Sequence, residues 1–87
     1  MDLVGLIGKA QTKTEIEPIY KKLGANVASM RTNAGMTQSE LGQAAGMGTS
    51  TVAEVETGST RILLSDLEKL AQALGVQPKQ LLIGIWF

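Results

Sequence analysis

The sequence predicts an all-α fold, a compact domain of five helices, and three observations lead to this prediction. Apolar residues recur at intervals of three and four along most of the chain, which is the spacing of one helical face. Sustained alternation of β-branched and polar residues, the pattern of a surface strand, does not occur. Glycines stand where the apolar runs stop, as is common at helix C-termini. The 87 residues suffice for one small domain.

Two residue types are missing, and this limits the chemistry open to the chain. It has no Cys and no His, so it forms no disulfide, no zinc site of the Cys/His kind and no nucleophile of the Ser–His or Cys-thiolate kind. Glu54 and Glu56 do not substitute as a catalytic pair, because residues two apart on a helix point away from each other. We predict that the protein is not an enzyme and uses no cofactor or metal.

Charge and hydropathy favour a cytoplasmic protein. Eight basic and eight acidic residues give a net charge of zero, which neither favours nor excludes nucleic acid as a partner. The chain lacks an apolar run of about 18 residues, the length that suggests a membrane span. Its first residues also lack the basic start of a signal peptide, because Asp2 follows Met1. We therefore expect no contact with a membrane.

Two short segments flank the predicted domain at 15–83. Residues 1–14 are expected to form an arm or a short helix, because apolar side chains share one helical face while Gly5 and Gly8 lower the helix propensity. Residues 84–87 form an apolar tail.

The first helix of the domain is predicted at about 15–34. Thr14 and Glu17 have the spacing of a capping box, and Pro18 in the first turn loses little by lacking an N–H group. Gly35 marks the end of this helix. Its apolar stripe consists of Ile19, Leu23, Val27 and Met30.

Two short helices follow and form a predicted helix-turn-helix motif at 37–57. Thr37 and Glu40 have the spacing of a capping box at the start of the first. The two helices end before Gly46 and Gly58. The residues expected to face inward are Leu41, Ala44, Ala45, Val52 and Val55.

The domain is predicted to close with a longer helix at 64–74, ended by Gly75, and a short helical turn at 78–83 that begins with Pro78. The apolar face of the longer helix consists of Leu64, Leu67, Leu70, Ala71 and Leu74.

The chain from residue 23 to residue 82 resembles the lambda-repressor-like, Xre-type helix-turn-helix family without a gap. The matching residues are Leu23, Gly24, Val27, Met30, Arg31, Gly35, Met36, Thr37, Gln38, Glu40, Leu41, Ala45, Gly46, Met47, Ser50, Thr51, Val52, Glu56, Gly58, Leu67, Ala71, Leu74, Gly75, Val76 and Leu82.

This resemblance implies a transcriptional regulator that binds double-stranded DNA as a homodimer on a palindromic operator. The family positions that match Thr49, Ser50 and Glu54 usually contact bases, and the exposed hydroxyl of Thr51 is a fourth candidate. The resemblance also implies a buried ion pair with a structural role. Its partners are Arg31 and Glu56. The candidates for phosphate contact are Thr37, Gln38, Ser59, Thr60 and Arg61.

The charge of the motif is unusual for a DNA-binding element. Residues 37–57 contain three acids and no Lys or Arg, whereas neutralisation of phosphates supplies much of the affinity for DNA. Basic residues outside the motif would then have to supply it. These are Arg61, Lys21, Lys22, Arg31 if it is unpaired, and Lys9 and Lys13 in the arm.

An alternative function therefore stays open at this point. The chain would then be a protein-interaction or antitoxin-type module that keeps the fold with weak or no DNA binding of its own. The tail also has two interpretations, a dimer surface or packing on its own core. The residues concerned are Ile83, Ile85, Trp86 and Phe87. The sequence does not indicate the operator, the genes controlled, an effector, or repression as against activation.

Overall fold

Four α-helices and one short 3-10 helix make up residues 18–85, the part of the chain that the computed structural model describes. This part contains no strand, so the all-α prediction is confirmed for it. The predicted arm at 1–14, the capping box of Thr14 and Glu17, and the tail residues Trp86 and Phe87 lie outside the described residues. The helices are α1 (Pro18–Asn33), α2 (Gln38–Ala45), α3 (Thr49–Thr57), α4 (Leu64–Leu74) and the 3-10 helix (Pro78–Leu82).

The fifth predicted helix is a 3-10 helix, so the described residues contain four α-helices rather than five. Pro78 occupies its first turn, and the Gln80 amide donates to the Gln77 carbonyl oxygen at 2.9 Å, one residue short of the α-helical spacing. The segment is only five residues long, and Ile83 beyond it has extended backbone angles. Short connectors of this length commonly take the 3-10 form.

The core consists of aliphatic side chains from every helix. α1 packs mainly against α3, while α2 packs against both α3 and α4. The 3-10 helix packs against α1 and α4, and its Leu81 is fully buried. The buried residues are Leu23, Val27, Leu41, Ala45, Val52, Val55, Leu67, Leu70, Ala71 and Leu81.

Two residues predicted to face inward are exposed. Ala44 of α2 points to solvent, because Leu41, Gly42 and Ala45 form the buried side of this helix. Leu64 is 81% exposed, because it is the first residue of α4 and precedes the part of the helix that contacts the core. Helical spacing alone predicted both positions, and it does not indicate where along a helix the packing begins.

Asn26 of α1 holds the C-terminal part of the domain in place. Its side-chain amide donates to the carbonyl oxygens of Leu81 and Ile83, each at 2.8 Å. Two backbone acceptors across more than 50 residues of sequence are thus satisfied by one side chain. This fixes the path of the chain from the 3-10 helix to Ile85.

The start of α2 has the predicted capping box. The Thr37 hydroxyl accepts from the Glu40 amide at 3.0 Å, and the Glu40 carboxylate accepts from the Thr37 amide at 2.8 Å.

We expect Thr37→Ala to lower the free energy of unfolding by about 1 kcal/mol, because it removes this acceptor from the helix N-terminus. Urea unfolding of the two proteins measures the difference. Thr37→Ser keeps the hydroxyl and should retain most of the stability. Equal losses in the two variants would show that the threonine methyl group, and not the cap, matters here.

Candidate functional site

The exposed side of α3 carries the four residues predicted to contact bases. Thr49, Ser50, Thr51 and Glu54 are all exposed. The opposite side of the same helix carries Val52 and Val55, which are buried against α1 and α2. Gly48 is the N-cap residue of α3 and provides no side-chain cap. The exposed side of α3 therefore carries three hydroxyls and one carboxylate, while the opposite side packs against the core.

The predicted ion pair between Arg31 and Glu56 is present and connects α1 with α3. Arg31 Nε donates to Glu56 Oε2 at 2.6 Å, and Arg31 Nη2 donates to Oε1 at 3.1 Å. A third bond runs from Nη1 to the Met36 carbonyl oxygen at 2.8 Å. The Arg31 and Glu56 side chains are 18% and 6% exposed. The hydrogen bond with Glu56 raises the pKa of Arg31 above its usual value, although burial acts in the opposite direction.

Gln38 joins this pair, which its sequence position did not predict. Its Nε2 atom donates to Glu56 Oε1 at 2.9 Å, so that oxygen accepts from both Arg31 and Gln38. A side-chain amide nitrogen carries two N–H groups, and this bond uses one of them. The side chain at the start of α2 is thereby held against the end of α3. Gln38 is a half-buried part of the interhelical network and not merely a solvated residue.

The hydroxyls at the C-terminal end of α3 and just beyond it form hydrogen bonds with backbone carbonyl oxygens. The Thr57 and Ser59 oxygens lie 2.9 Å apart, and both reach the Glu54 carbonyl oxygen, at 3.1 and 3.3 Å. Thr60 donates to the carbonyl oxygen of Arg61 at 3.2 Å, and the Arg61 side chain is exposed. Ser59 and Thr60 would have to give up these bonds to donate to another group.

The three acids of the motif lie in three different environments in the structure. Glu56 is balanced by Arg31, and Glu40 is engaged in the capping box. Glu54 is the acid that α3 presents on its exposed side. Because Arg31 is paired with Glu56, it is no longer among the basic residues expected to neutralise DNA phosphates.

Lys21 lies beside the end of α3, a position that its place in the sequence does not reveal. Gly58 has a φ of +73°, and a Cβ atom built on it would be 2.5 Å from the Lys21 Cα atom. Glycine is therefore required there both for its backbone conformation and for the close approach of α1. Lys22 differs, because its Nζ atom is 3.4 Å from the Gly84 carbonyl oxygen, at the C-terminal part of the domain.

A second group of candidate residues is apolar and partly exposed. Of the predicted dimer residues that the structure describes, Ile83 is 57% exposed and Ile85 is half-buried against the core. Leu63 and Leu64 add exposed apolar area, at 68% and 81%. The sequence pattern did not indicate Leu63 as part of this group, and it predicted Leu64 to lie in the core.

Within residues 18–85, no helix has the length and apolar character needed to cross a membrane. The same residues contain no group of three or more acidic side chains placed to hold a metal ion.

Comparison of the sequence with known families gives a match over most of the chain. The sequence model of a family described as a helix-turn-helix domain matches residues 22–82. A hypothetical transcription factor of Neisseria meningitidis serogroup B is 41% identical over 61 residues, which are 70% of this chain. Those residues cover 58% of the relative, so the chain spans somewhat more than half the length of this curated protein.

Solved structures of regulators have the same fold. The restriction-modification controller protein C.AhdI of Aeromonas hydrophila aligns with a TM-score of 0.70 and 34% identity, over 71% of this chain and 94% of its own. The clp gene regulator ClgR of Corynebacterium glutamicum aligns with a TM-score of 0.72 and 29% identity, over 75% and 84%. The hypothetical transcription factor NHTF from Neisseria aligns with a TM-score of 0.72 and 38% identity, over 75% of each chain.

Proposed function

Because this chain belongs to the lambda-repressor-like family of helix-turn-helix domains, we propose that it is a transcriptional regulator that binds a specific sequence of double-stranded DNA. The observation that carries the proposal is the exposed side of α3, where Thr49, Ser50, Thr51 and Glu54 stand on a helix packed from behind. The relatives named above as transcription factors and regulators support the same function.

α3 is the element that enters the major groove in this proposal. The groove is about 12 Å wide and admits one α-helix. The hydroxyls of Thr49, Ser50 and Thr51 donate to or accept from base edges, and Glu54 accepts from the N4 amino group of cytosine. Gln38 directs its second N–H group to a phosphate, while Glu56 holds the first. Thr37, Ser59, Thr60 and Arg61 complete the backbone contacts.

We further propose that the protein acts as a homodimer on a palindromic operator. One module of this size buries only about 600–1,000 Å² on DNA. Two modules on half-sites about one helical turn apart supply the missing affinity and the register. The dimer surface is formed by Ile83 and Ile85, to which we add Leu63 and Leu64 because of their exposure. Isolated apolar side chains need no explanation, but a contiguous apolar surface indicates a partner.

Selection from a random duplex library at about 50 mM salt, where phosphate contacts are strong, tests this function. The expected result is an enriched palindrome whose half-sites are about 10 base pairs apart. The affinity for the selected duplex is then measured at several salt concentrations. The slope of the logarithm of the affinity against the logarithm of the salt concentration gives the number of phosphates neutralised. Failure to bind any duplex at low salt would refute the proposal and favour the protein-interaction or antitoxin-type module.

We expect Glu54→Ala to change the base preferred at one position of each half-site, by about 1–3 kcal/mol, because it removes one base-edge acceptor. Competition between the selected duplex and its single-base variants measures this. Glu68→Ala is the matched control, since Glu68 is an exposed acid on α4. If Glu54→Ala tightened binding to all duplexes equally, Glu54 would repel phosphates and would not contact a base.

We expect Arg61→Ala to weaken binding to every sequence alike and to reduce the salt slope by about one, because one phosphate contact is lost. Binding isotherms at four or more salt concentrations give the slope. Lys79→Ala, an exposed basic residue on the 3-10 helix, should leave it unchanged. A loss confined to one duplex sequence would instead place Arg61 at a base.

A further inference from the structure

An apolar groove opens on the side of the domain formed by the start of α1, the chain before α4 and the chain after the 3-10 helix. Its volume is about 230 Å³. The residues that form its walls include Ile19, Tyr20, Ile62, Leu64, Leu82 and Ile85. Most of these side chains are aliphatic, and Tyr20 adds an aromatic ring and a hydroxyl. An open apolar groove of this kind is costly to leave in contact with water.

The chain itself leads into this groove at Ile85, which is one of its walls. Asn26 binds the Ile83 carbonyl oxygen, Lys22 binds that of Gly84, and the Ile85 amide donates to the Leu82 carbonyl oxygen at 3.0 Å. These bonds hold the backbone beside α1 up to the last described residue. The next residue is Trp86, whose Cα atom is about 3.8 Å from that of Ile85.

We propose that this groove is the binding site for the Trp86 side chain of the same chain. An apolar cavity of about 150 Å³ accommodates benzene, so a groove of about 230 Å³ has room for an indole ring. A buried tryptophan also needs an acceptor for its N–H group, and Tyr20, one of the groove residues, has a hydroxyl of the required kind.

The short connection favours the chain's own tryptophan over that of a second copy. A short flexible linker gives an effective concentration of the order of mM, and here one peptide bond joins Trp86 to a groove residue. The Trp86 of a second copy at micromolar concentration therefore competes poorly with the chain's own Trp86 for the groove. Leu63, Leu64 and Ile85 line both this groove and the dimer surface proposed above, so the bound indole becomes part of that surface, while Ile83 stays exposed. The inference does not depend on DNA binding.

The fluorescence of the full chain tests the proposal directly, because Trp86 is the single tryptophan. The expected result is blue-shifted emission with weak quenching by acrylamide, both unchanged on dilution. Emission like that of the urea-unfolded chain would overturn the proposal. Burial that appears only as the protein concentration rises would also overturn it and would assign the groove to a second copy.

Two exposed sites supply matched variants that leave the core intact. Leu64→Glu places a charge on the groove wall and should shift the emission to the red and increase quenching. Ile83→Glu changes an exposed residue that is not among the groove walls and should leave both unchanged. Equal shifts in the two variants, or none in Leu64→Glu, would refute the groove as the site. Trp86→Ala should lower the unfolding midpoint by roughly 4–8 °C, the shift expected for about 1 kcal/mol.

Discussion

Replacing Arg31 with methionine is expected to lower the free energy of unfolding by about 3–5 kcal/mol. The Glu56 carboxylate is 6% exposed, and Arg31 donates two of the hydrogen bonds that it receives. Removing the cation leaves a buried charge with Gln38 as its remaining donor in this network. A loss of this size is a large fraction of the 5–15 kcal/mol or so that stabilises a typical domain. Urea unfolding monitored by circular dichroism measures it.

The double variant Arg31→Met/Glu56→Leu separates two contributions to the free energy of unfolding. One is the net contribution of the ion pair, and the other is the penalty for leaving the Glu56 charge buried without its cation. Removing both charges should restore most of the lost stability, because a buried pair is often replaced by apolar residues without loss. If the double variant were as unstable as Arg31→Met alone, the packing of the Arg31 stem and its bond to the Met36 carbonyl oxygen would account for the loss instead. Gln38 loses its acceptor in the double variant, so weaker DNA binding is expected even where stability recovers.

The second large effect is expected from Gly24→Ala. Gly24 is buried where α1 meets α3, and a Cβ atom there would overlap the Val55 carbonyl oxygen and lie 2.6 Å from that of Glu56. Alanine gains about 1 kcal/mol of helix propensity over glycine. Overpacking typically costs about 1–3 kcal/mol, and overlap with two backbone carbonyl oxygens places this variant at the upper end. The steric cost therefore exceeds the gain in propensity and the variant is destabilised.

Ala25→Gly is the control, because Ala25 is the exposed neighbour on the same helix. It should lose about 1 kcal/mol through helix propensity alone. Chemical unfolding of both variants gives the comparison. A Gly24→Ala protein as stable as the parent would mean that α1 and α3 are further apart than the structure shows. Where the variant folds, we also expect weaker DNA binding, since α1 supports α3 from behind.

Much of the fold follows from local features of the sequence. The capping box of Thr37 and Glu40 and the glycines at 46, 58 and 75 mark helix ends correctly, because caps and left-handed turns depend on a few adjacent residues. The 3-10 form of the last helix was not predicted, since hydrogen bonding within one short turn depends on how its ends are held. Asn26 provides that anchor from a distant helix.

The candidate site was likewise predictable from the sequence only in part. The exposed hydroxyls of α3 were predictable, because helical spacing places them opposite Val52 and Val55. The bond from Gln38 to Glu56 was not, because the two residues are 18 positions apart and meet only through the angle between α2 and α3.

The sequence by itself determined which segments are helical, where most of them end, and which family the chain resembles. Only the tertiary structure decided that Gln38 shares Glu56 with Arg31, that Lys21 lies beside Gly58, and that Leu64 borders an open groove. The physical reason is that caps and helical faces arise from neighbours along the chain. Which residue pairs with a charge, and whether an apolar residue is buried, depend on packing between helices that are distant in the sequence.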